Sequence, residues 1–160
     1  MLGPASAHRK AWLGEYITNS EMKPRFVSIS AKDNPIHKIE PVLSRSDVFI
    51  PISDTRLINI ATAKWILHLS YRHKVPVIAF SKSYLKAGAL AAIYSSPLDV
   101  AMDTADWLLR SGNSQVGGLF KPNHYSLEFN HSVAANLRVD LKAEQNYRKQ
   151  FAREAANVSK

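Results

Sequence analysis

A chain of 160 residues with 46 % hydrophobic and 21 % charged residues has the composition of one globular domain, which excludes a generally disordered protein. No segment approaches the roughly 20 consecutive apolar residues of a membrane-spanning helix, and the absence of cysteine excludes disulfides, thiolate nucleophiles and cysteine-ligated metals. Residues 1–10 lack the basic-then-apolar pattern of an export signal, so we expect no such signal within this chain.

Helical and strand signals alternate along the chain, which is typical of an α/β protein with a mostly parallel sheet. The first half predicts a helix from Ser6, a strand over Phe26–Ser30, a helix that begins at Asn34–Pro35 and a strand over Asp47–Ser53. Asp54 would then cap a long helix that ends near Tyr71, with Ala61 and His68 among its inward residues.

The second half continues the alternation. It predicts a strand over Val75–Phe80, a short turn or single helical turn at Ser81–Lys86 and a strand over Ala89–Tyr94. These are followed by a helix from Ser96 to about Arg110, a linker over Ser111–Pro122, a strand over Tyr125–Phe129, a short helix capped by Asn130 and a charged helix from about Leu141. We therefore predict one α/β domain over residues 1–160 that ends in a helical tail at about 141–160.

The chain is basic, since 21 Lys and Arg residues outnumber 13 Asp and Glu residues to give a formal net charge of +8. Such an excess favours acidic partners, including nucleic acid. The basic residues are scattered, however, and no run of five interleaves with aromatic residues. This distribution favours solvated helix faces and no nucleic acid, and leaves a basic nucleic-acid-binding α/β domain as an alternative.

The chemical motifs of the chain do not assemble into an enzyme. Ser83 and Lys86 have the Ser-x-x-Lys spacing of penicillin-recognising enzymes, but the Ser-Asp-Asn and Lys-Thr-Gly companions are missing from the sequence. The six histidines lack the pairing of a helical metal site, and Gly117-Gly118 lacks the following Lys-Ser/Thr of a phosphate-binding loop. We expect a non-enzymatic protein with no metal and no cofactor.

Topology nevertheless predicts a binding edge. Ligands of parallel α/β sheets bind at the carboxyl ends of the strands, and polar residues follow three predicted strands, at 53–55, 81–84 and 94–96. Turns that lead into helices also offer free backbone N–H groups to an anionic ligand group. Asp54 could contact a ligand or only cap a helix, and the sequence leaves both interpretations open.

The segment Arg72–Leu90, with its strand led by Pro76 and its Lys86-Ala87-Gly88-Ala89, resembles the ABC-transporter substrate-binding protein family with the type I periplasmic-binding-protein fold. Asp54, Asp99 and the pair Asn130 and Ala134 continue the similarity in order and spacing from about residue 2 to residue 141. The chain departs from the family at Ala101, Arg138 and Asp140, where the family has Gly, Gly and Pro. The resemblance covers only the C-terminal half of such a protein, and it implies a flavodoxin-like lobe with a three-layer parallel sheet.

The resemblance implies a component that binds a small solute, such as an amino acid, for an ABC-type uptake system, with an ABC permease as partner and a periplasmic location. A ligand-sensing domain of a regulator or signalling protein is the alternative that shares the fold. The pocket residues carried over by position are Ser6, Asp54, Ser81, Tyr84 and Ser95. Asp54 would receive a ligand amine, Ser6 and Ser81 a carboxylate or another polar group, and Tyr84 would form an aromatic wall or pack against a hinge.

Hinges are expected near Ser81–Gly88 and Gly112–Pro122, because such proteins close two lobes over the solute. The resemblance also places Ala89–Arg110 in the missing first lobe, so we expect its strand to lack a sheet in this chain. The following helix should expose an apolar face that contains Val100, Trp107 and Leu108. A homodimer that exchanges residues 89–112 would cover both features.

Overall fold

The computed structural model describes residues 1–18, 21–30, 32–111 and 122–150, without the side chains of Thr18 and Ser111. A 3-10 turn at Ala7–Arg9 leads into the first helix. The helices are α1 (Lys10–Thr18), α2 (Pro35–Leu43), α3 (Ile60–Arg72), α4 (Lys82–Ala87), α5 (Pro97–Ser111) and α6 (His131–Leu137), and residues 144–150 are also helical. The strands are β1 (Ile78–Ala79), β2 (Ala91–Tyr94) and β3 (Ser126–Phe129).

The strands form a mixed sheet in the order β1-β2-β3, in which β1 and β2 are parallel and β3 is antiparallel to β2. Two isolated parallel bridges, Leu2 with Ser28 and Phe49 with Val77, extend the backbone pairing beyond the named strands. The Ile52 N–H donates to the Met1 carbonyl at 3.2 Å and joins these two bridges. Hydrogen bonds therefore run without a break from residues 27–29 to residues 126–130, through segments 1–2, 49–52, 76–79 and 90–94.

Strand β3 departs from the mostly parallel sheet that the sequence predicts, because the chain returns to the end of β2 at which it left. The Asp103 carboxylate on α5 accepts hydrogen bonds from the backbone N–H groups of Asn123 (3.1 Å) and His124 (3.3 Å). Ser95, which follows β2, donates to the His124 carbonyl at 2.8 Å. These contacts place the start of β3 beside the end of β2, and β3 must then run antiparallel.

The prediction that the strand within Ala89–Tyr94 lacks a sheet in this chain is also wrong. β2 is paired on both sides within the same chain, to β1 through Ile78 and Ala91 and to β3 through Ala91 and Phe129. Exchange of residues 89–112 between copies is therefore not needed to satisfy the backbone of β2.

The long helix predicted after Asp54 begins five residues later than expected. Asn59 caps α3, and its side chain accepts a hydrogen bond from the Thr62 N–H at 2.9 Å. A turn at residues 55–57 intervenes, and it buries Leu57. The inward face of α3 consists of Ile66, Leu67, Leu69 and Ser70, whereas the predicted inward residues Ala61 and His68 are exposed.

The core lies between the sheet and helices α2, α3 and α4. Ile39 and Ile66 are fully buried in it, and Phe49 and Val77 contribute from the sheet. Asn130 ties α6 to α4: its side chain accepts from the Val133 N–H (3.1 Å) and donates to the Leu85 carbonyl (3.1 Å). Among the described residues, none of the helices combines the length and apolar character needed to cross a membrane.

Two predicted segments lie outside the described residues. They are residues 112–121, which hold most of the predicted linker and hinge at Gly112–Pro122, and the predicted tail beyond residue 150. The other predicted hinge, Ser81–Gly88, coincides with α4, whose residues Tyr84 and Leu85 are buried. Its bending stays a prediction.

Arg138 ends α6 in the left-handed region, at φ 57° and ψ 38°, which costs a residue with a Cβ about 1 kcal/mol relative to glycine. We expect Arg138→Gly to raise the free energy of unfolding by about 0.5–1 kcal/mol in urea denaturation. Arg110→Gly, an exposed position in α5, is the matched control and should lower it by about 1 kcal/mol. Equal signs for the two substitutions would contradict the conformational argument.

Candidate functional site

The carboxyl ends of the parallel segments meet at one edge of the sheet. Segments 1–2, 49–52 and 77–79 and strand β2 are connected by parallel pairing or by backbone hydrogen bonds, and each is followed by polar residues. β3 runs the other way, so its first residue, Ser126, lies opposite Tyr94 at the same edge. Two clusters of side chains lie at this edge: the predicted residues Ser6 and Asp54 form the first, and Ser81, Tyr84 and Ser95 flank the second or lie beneath it.

The first cluster joins Ser6 and Asp54, both 2 % exposed. The Asp54 Oδ2 atom accepts from the Ser6 hydroxyl (2.8 Å), the Ser6 N–H (2.8 Å) and the Ala5 N–H (2.9 Å). The Oδ1 atom accepts from the Arg56 N–H at 3.0 Å, and the Ser6 hydroxyl accepts from the Gly3 N–H at 2.9 Å. The carboxylate thus holds the turn after residue 2 against the turn at residues 55–57.

Burial of Asp54 opposes its ionisation, but the hydrogen bonds from Ser6, Arg56 and Ala5 outweigh burial and hold its pKa below the ordinary value. The buried side chain is therefore a carboxylate with four protein donors. This arrangement explains Asp54 as a residue that positions two turns of the binding edge. Direct contact of Asp54 or Ser6 with a ligand stays a prediction.

The second cluster contains Lys82 and Tyr94, from the predicted polar segments 81–84 and 94–96, together with Glu128, which was not predicted from the sequence. Lys82 at the start of α4 donates from Nζ to Glu128 Oε1 at 3.1 Å, and the Tyr94 hydroxyl donates to the same oxygen. The side chains of Lys82 and Glu128 are 54 % and 33 % exposed, so a cation and an anion are both accessible at the ends of β1 and β2. We call Lys82, Tyr94 and Glu128 the edge triad.

Hydrogen bonding fixes the charges of the edge triad. The bond to Glu128 raises the pKa of Lys82, and the bonds from Tyr94 and Lys82 lower the pKa of Glu128. The bond to Glu128, followed by burial, raises the pKa of Tyr94. At neutral pH the triad thus presents an ammonium, a carboxylate and a neutral phenol within one hydrogen-bonded group, which is chemistry suited to a ligand that carries both charges.

The other three predicted residues flank the edge triad or lie beneath it. Ser81 caps α4, and its hydroxyl accepts from the Tyr84 N–H at 3.4 Å. Ser95 is half-buried and anchors His124, as described above. Tyr84 is 5 % exposed, packs against Phe80 with ring centroids 5.3 Å apart, and has a buried hydroxyl without a hydrogen-bond partner.

Burial raises the pKa of Tyr84 to about 12. The Tyr84 ring packs within the core, and the two roles that the sequence left open for it, an aromatic wall of the pocket and packing against a hinge, both stay predictions.

Ser95 and His124 do not form the nucleophile and base of a hydrolase. The Ser95 hydroxyl donates to the backbone carbonyl of His124, while the His124 ring is paired through Nδ1 with Asp103 Oδ1 at 2.6 Å. A nucleophile would need the ring nitrogen as its base. Within the described parts of the chain, no three His, Asp or Glu side chains are placed to hold a metal ion.

The signal for the edge triad was incomplete in the sequence. Lys82 and Tyr94 belong to the polar segments 81–84 and 94–96 that follow predicted strands, so their proximity to the edge could be inferred. Glu128 could not, because its contact with Lys82 depends on the antiparallel register that pairs Ala92 with Glu128. That register is a property of the tertiary structure.

Comparison with known proteins gives likeness of structure without likeness of sequence. No protein-family model matches the chain, and no curated protein matches significantly. Among solved structures, a conserved domain protein of Vibrio cholerae has a TM-score of 0.61 at 20 % identity, covering 92 % of this chain and 52 % of its own.

Two further structures carry functional descriptions. An ABC domain in complex with L-Trp from Streptococcus pneumoniae has a TM-score of 0.64 at 14 % identity, with 92 % of this chain and 54 % of its own covered. The ligand-free, open form of a substrate-binding protein with adhesive properties from Clostridium difficile has a TM-score of 0.56 at 15 % identity, with 87 % and 50 % covered. The chain spans about half the length of each of these structures and is similar in fold to that half.

Proposed function

We propose that this chain is a non-enzymatic, small-solute-binding lobe that serves an ABC-type uptake system outside the cytoplasm, with a permease as partner. The observation that carries the proposal is the edge triad, in which accessible groups of both charges stand at the carboxyl ends of β1 and β2. Ligands of α/β sheets bind at such ends. The likeness in fold to a structure that holds L-Trp and to a substrate-binding protein supports the proposal of solute binding.

The solute that fits the edge triad is small and carries both charges, as an amino acid does. Glu128 would attract the ligand ammonium and Lys82 the carboxylate, each in exchange for part of their mutual ion pair. The neutral Tyr94 would contribute a hydroxyl and an aromatic surface. One lobe supplies only one side of a cleft, so binding by this chain alone should be weak, in the millimolar range.

Lys82→Met tests the role of the edge triad. We expect amino acids at tens of millimolar to raise the melting temperature of the wild-type chain by about 2–4 °C, and Lys82→Met to abolish this shift. Lys38→Met is a matched control, because Lys38 also forms a surface ion pair, with Asp33 at 3.6 Å, and has a similar exposure of 53 %. The control should retain the shift.

Two results would overturn the proposal. One is the absence of stabilisation by amino acids and other small solutes in both this chain and a version that carries a second lobe. The other is a shift that Lys82→Met and Lys38→Met reduce equally, since that would place the effect in general charge and not at the edge triad.

A further inference from the structure

Arg148, in the helix at residues 144–150, holds the outer side of β3. Among the described strands β3 is the last of the sheet, so its outer side has no strand partner there. The Asn130 N–H donates to the Leu90 carbonyl at 2.8 Å. Backbone groups alternate in direction along an antiparallel strand, so those of Leu127 point away from β2. The Leu127 carbonyl accepts a hydrogen bond from Arg148 Nη1 at 3.0 Å.

Glu144, one turn earlier in the same helix, orients the arginine. Its Oε1 atom accepts from Arg148 Nε at 2.7 Å and lies 2.7 Å from Nη2. Its Oε2 atom lies 3.2 Å from Nε2 of His131 at the start of α6. The Glu144 side chain is 14 % exposed, and a mostly buried carboxylate that meets two guanidinium nitrogens holds the guanidinium more firmly than an exposed ion pair does.

These contacts affect the edge triad because they restrain both neighbours of Glu128. Leu127 accepts the hydrogen bond, and the centre of the Phe129 ring lies 5.8 Å from the guanidinium carbon of Arg148. β3 is therefore held on both sides of Glu128 from its outer side, and by β2 from its inner side. The hydrogen bond from Tyr94 is the chief cause that lowers the pKa of Glu128, and the positive charge of Arg148 lowers it further.

We propose that Arg148 is a positioning residue of the solute site, which holds β3 so that the Glu128 carboxylate stays beside Lys82. An edge strand that lacks such a contact opens locally more readily, and the carboxylate would then move away from its partners. The inference rests on the proposed function and adds a coupling to it. Because coupling between two sites is reciprocal, a solute bound at Glu128 should in turn stabilise the packing of the helix at 144–150 on β3.

Arg148→Met tests this role in the whole 160-residue chain. The substitution keeps an extended side chain but removes its charge and its hydrogen bonds to Leu127 and Glu144. We expect the affinity for amino acids, measured from the rise in melting temperature with solute concentration, to fall about three- to tenfold. Arg72→Met is the matched control, since Arg72 is 61 % exposed and pairs with Glu40; it should change the affinity less than about twofold.

The conservative variant Arg148→Lys and a titration of Glu128 distinguish positioning from a general loss of stability. Lysine keeps the positive charge but lacks the planar fork that reaches Glu144 and Leu127 together, so we expect it to recover less than about half of the lost affinity. NMR of the side-chain carboxyl carbon follows the titration of Glu128 without any solute. Arg148→Met should raise the pKa of Glu128, because it removes a positive charge that lowers this pKa, and Arg72→Met should leave the pKa unchanged.

Failure of the positioning role and failure of solute binding give different results. A chain that amino acids do not stabilise, with or without a second lobe, overturns the proposed function. An unchanged titration of Glu128 in Arg148→Met overturns the positioning role whether or not solute binds. The positioning role is also overturned if Arg148→Met binds solute as wild type does, or if Arg72→Met weakens binding equally. Full recovery in Arg148→Lys overturns it as well, since the charge alone would then suffice.

Discussion

Asp54→Ala should lower the free energy of unfolding by about 3–4 kcal/mol. The substitution leaves the Ser6 hydroxyl and three backbone N–H groups without the carboxylate that accepts their hydrogen bonds. Ser6 itself is 2 % exposed, so water cannot replace the lost acceptor without rearrangement of the turn. Buried donors that lose a charged partner cost far more than the net gain of an ordinary hydrogen bond.

Urea denaturation followed by far-UV circular dichroism measures this loss. Asp47→Ala is the matched control, because Asp47 is an exposed aspartate in the segment that leads to the same strand end; it should change stability by less than about 0.5 kcal/mol. A loss below about 1 kcal/mol for Asp54→Ala would contradict the positioning role that we assign to the carboxylate.

The Asp54 carboxylate also makes the difference in unfolding free energy between wild type and Asp54→Asn depend on pH. The pKa of Asp54 in the folded chain lies below its ordinary value of 3.8, so the unfolded chain takes up a proton first as the pH falls. The stabilisation by the carboxylate is complete at pH values well above 3.8 and is lost as the pH drops through the folded value. The stability difference between wild type and Asp54→Asn should therefore shrink on acidification below pH 3.8, and a constant difference would contradict the linkage.

Gly3→Ala is the second large effect, and we expect a loss of about 3 kcal/mol. A Cβ atom at Gly3 would lie 2.6 Å from Asp54 Oδ2, 2.7 Å from Asp54 Cγ and 2.9 Å from Leu57 Cβ. Both neighbours are buried and fixed by the contacts described above, so neither can move without breaking hydrogen bonds or core packing. Glycine is required here for close approach and not for an unusual backbone conformation.

Gly14→Ala provides the opposite control. A Cβ atom at Gly14, in α1, would meet only Phe26 Cε2 at 3.8 Å, and alanine favours the helix over glycine by about 0.5–1 kcal/mol. Thermal or urea denaturation should show Gly14→Ala stabilised and Gly3→Ala destabilised. Wild-type stability of Gly3→Ala would contradict the close packing of Gly3 against Asp54.

Local signals located most of the secondary structure. Asn34 and Asn130 cap helices where the sequence predicted them, and both side chains accept the expected hydrogen bonds. Strand β2 and helix α5 also fall where the apolar run and the Ser96–Asp99 capping box placed them. Such signals work because a cap or a breaker acts on neighbouring residues, so their effect does not depend on the fold around them.

The helix start predicted at Asp54 was wrong because local signals of this kind do not report contacts with distant residues. Aspartate before a threonine is a common helix start, yet the side chain binds Ser6, which is 48 residues earlier in the chain. The helix begins only at Ile60, after Asn59. Whether Asp54 caps a local helix or binds a distant residue depends on which contact is buried in the folded chain. No local sequence pattern shows which contact that is.

For the candidate site, the sequence by itself located the strand ends, because strand periodicity and the polar residues that follow are short-range features. The family resemblance named Ser6 and Asp54 as pocket residues, and Ser81 and Ser95 lie beside the edge that the topology predicted. Only the tertiary structure decided that β3 runs antiparallel and brings Glu128 to Lys82. It likewise decided which of the apolar residues predicted to be exposed on the following helix are covered, since Trp107 is half-buried whereas Val100 and Leu108 are exposed. Both depend on contacts between residues far apart in sequence, and the free energy of such contacts is set by packing and desolvation in three dimensions.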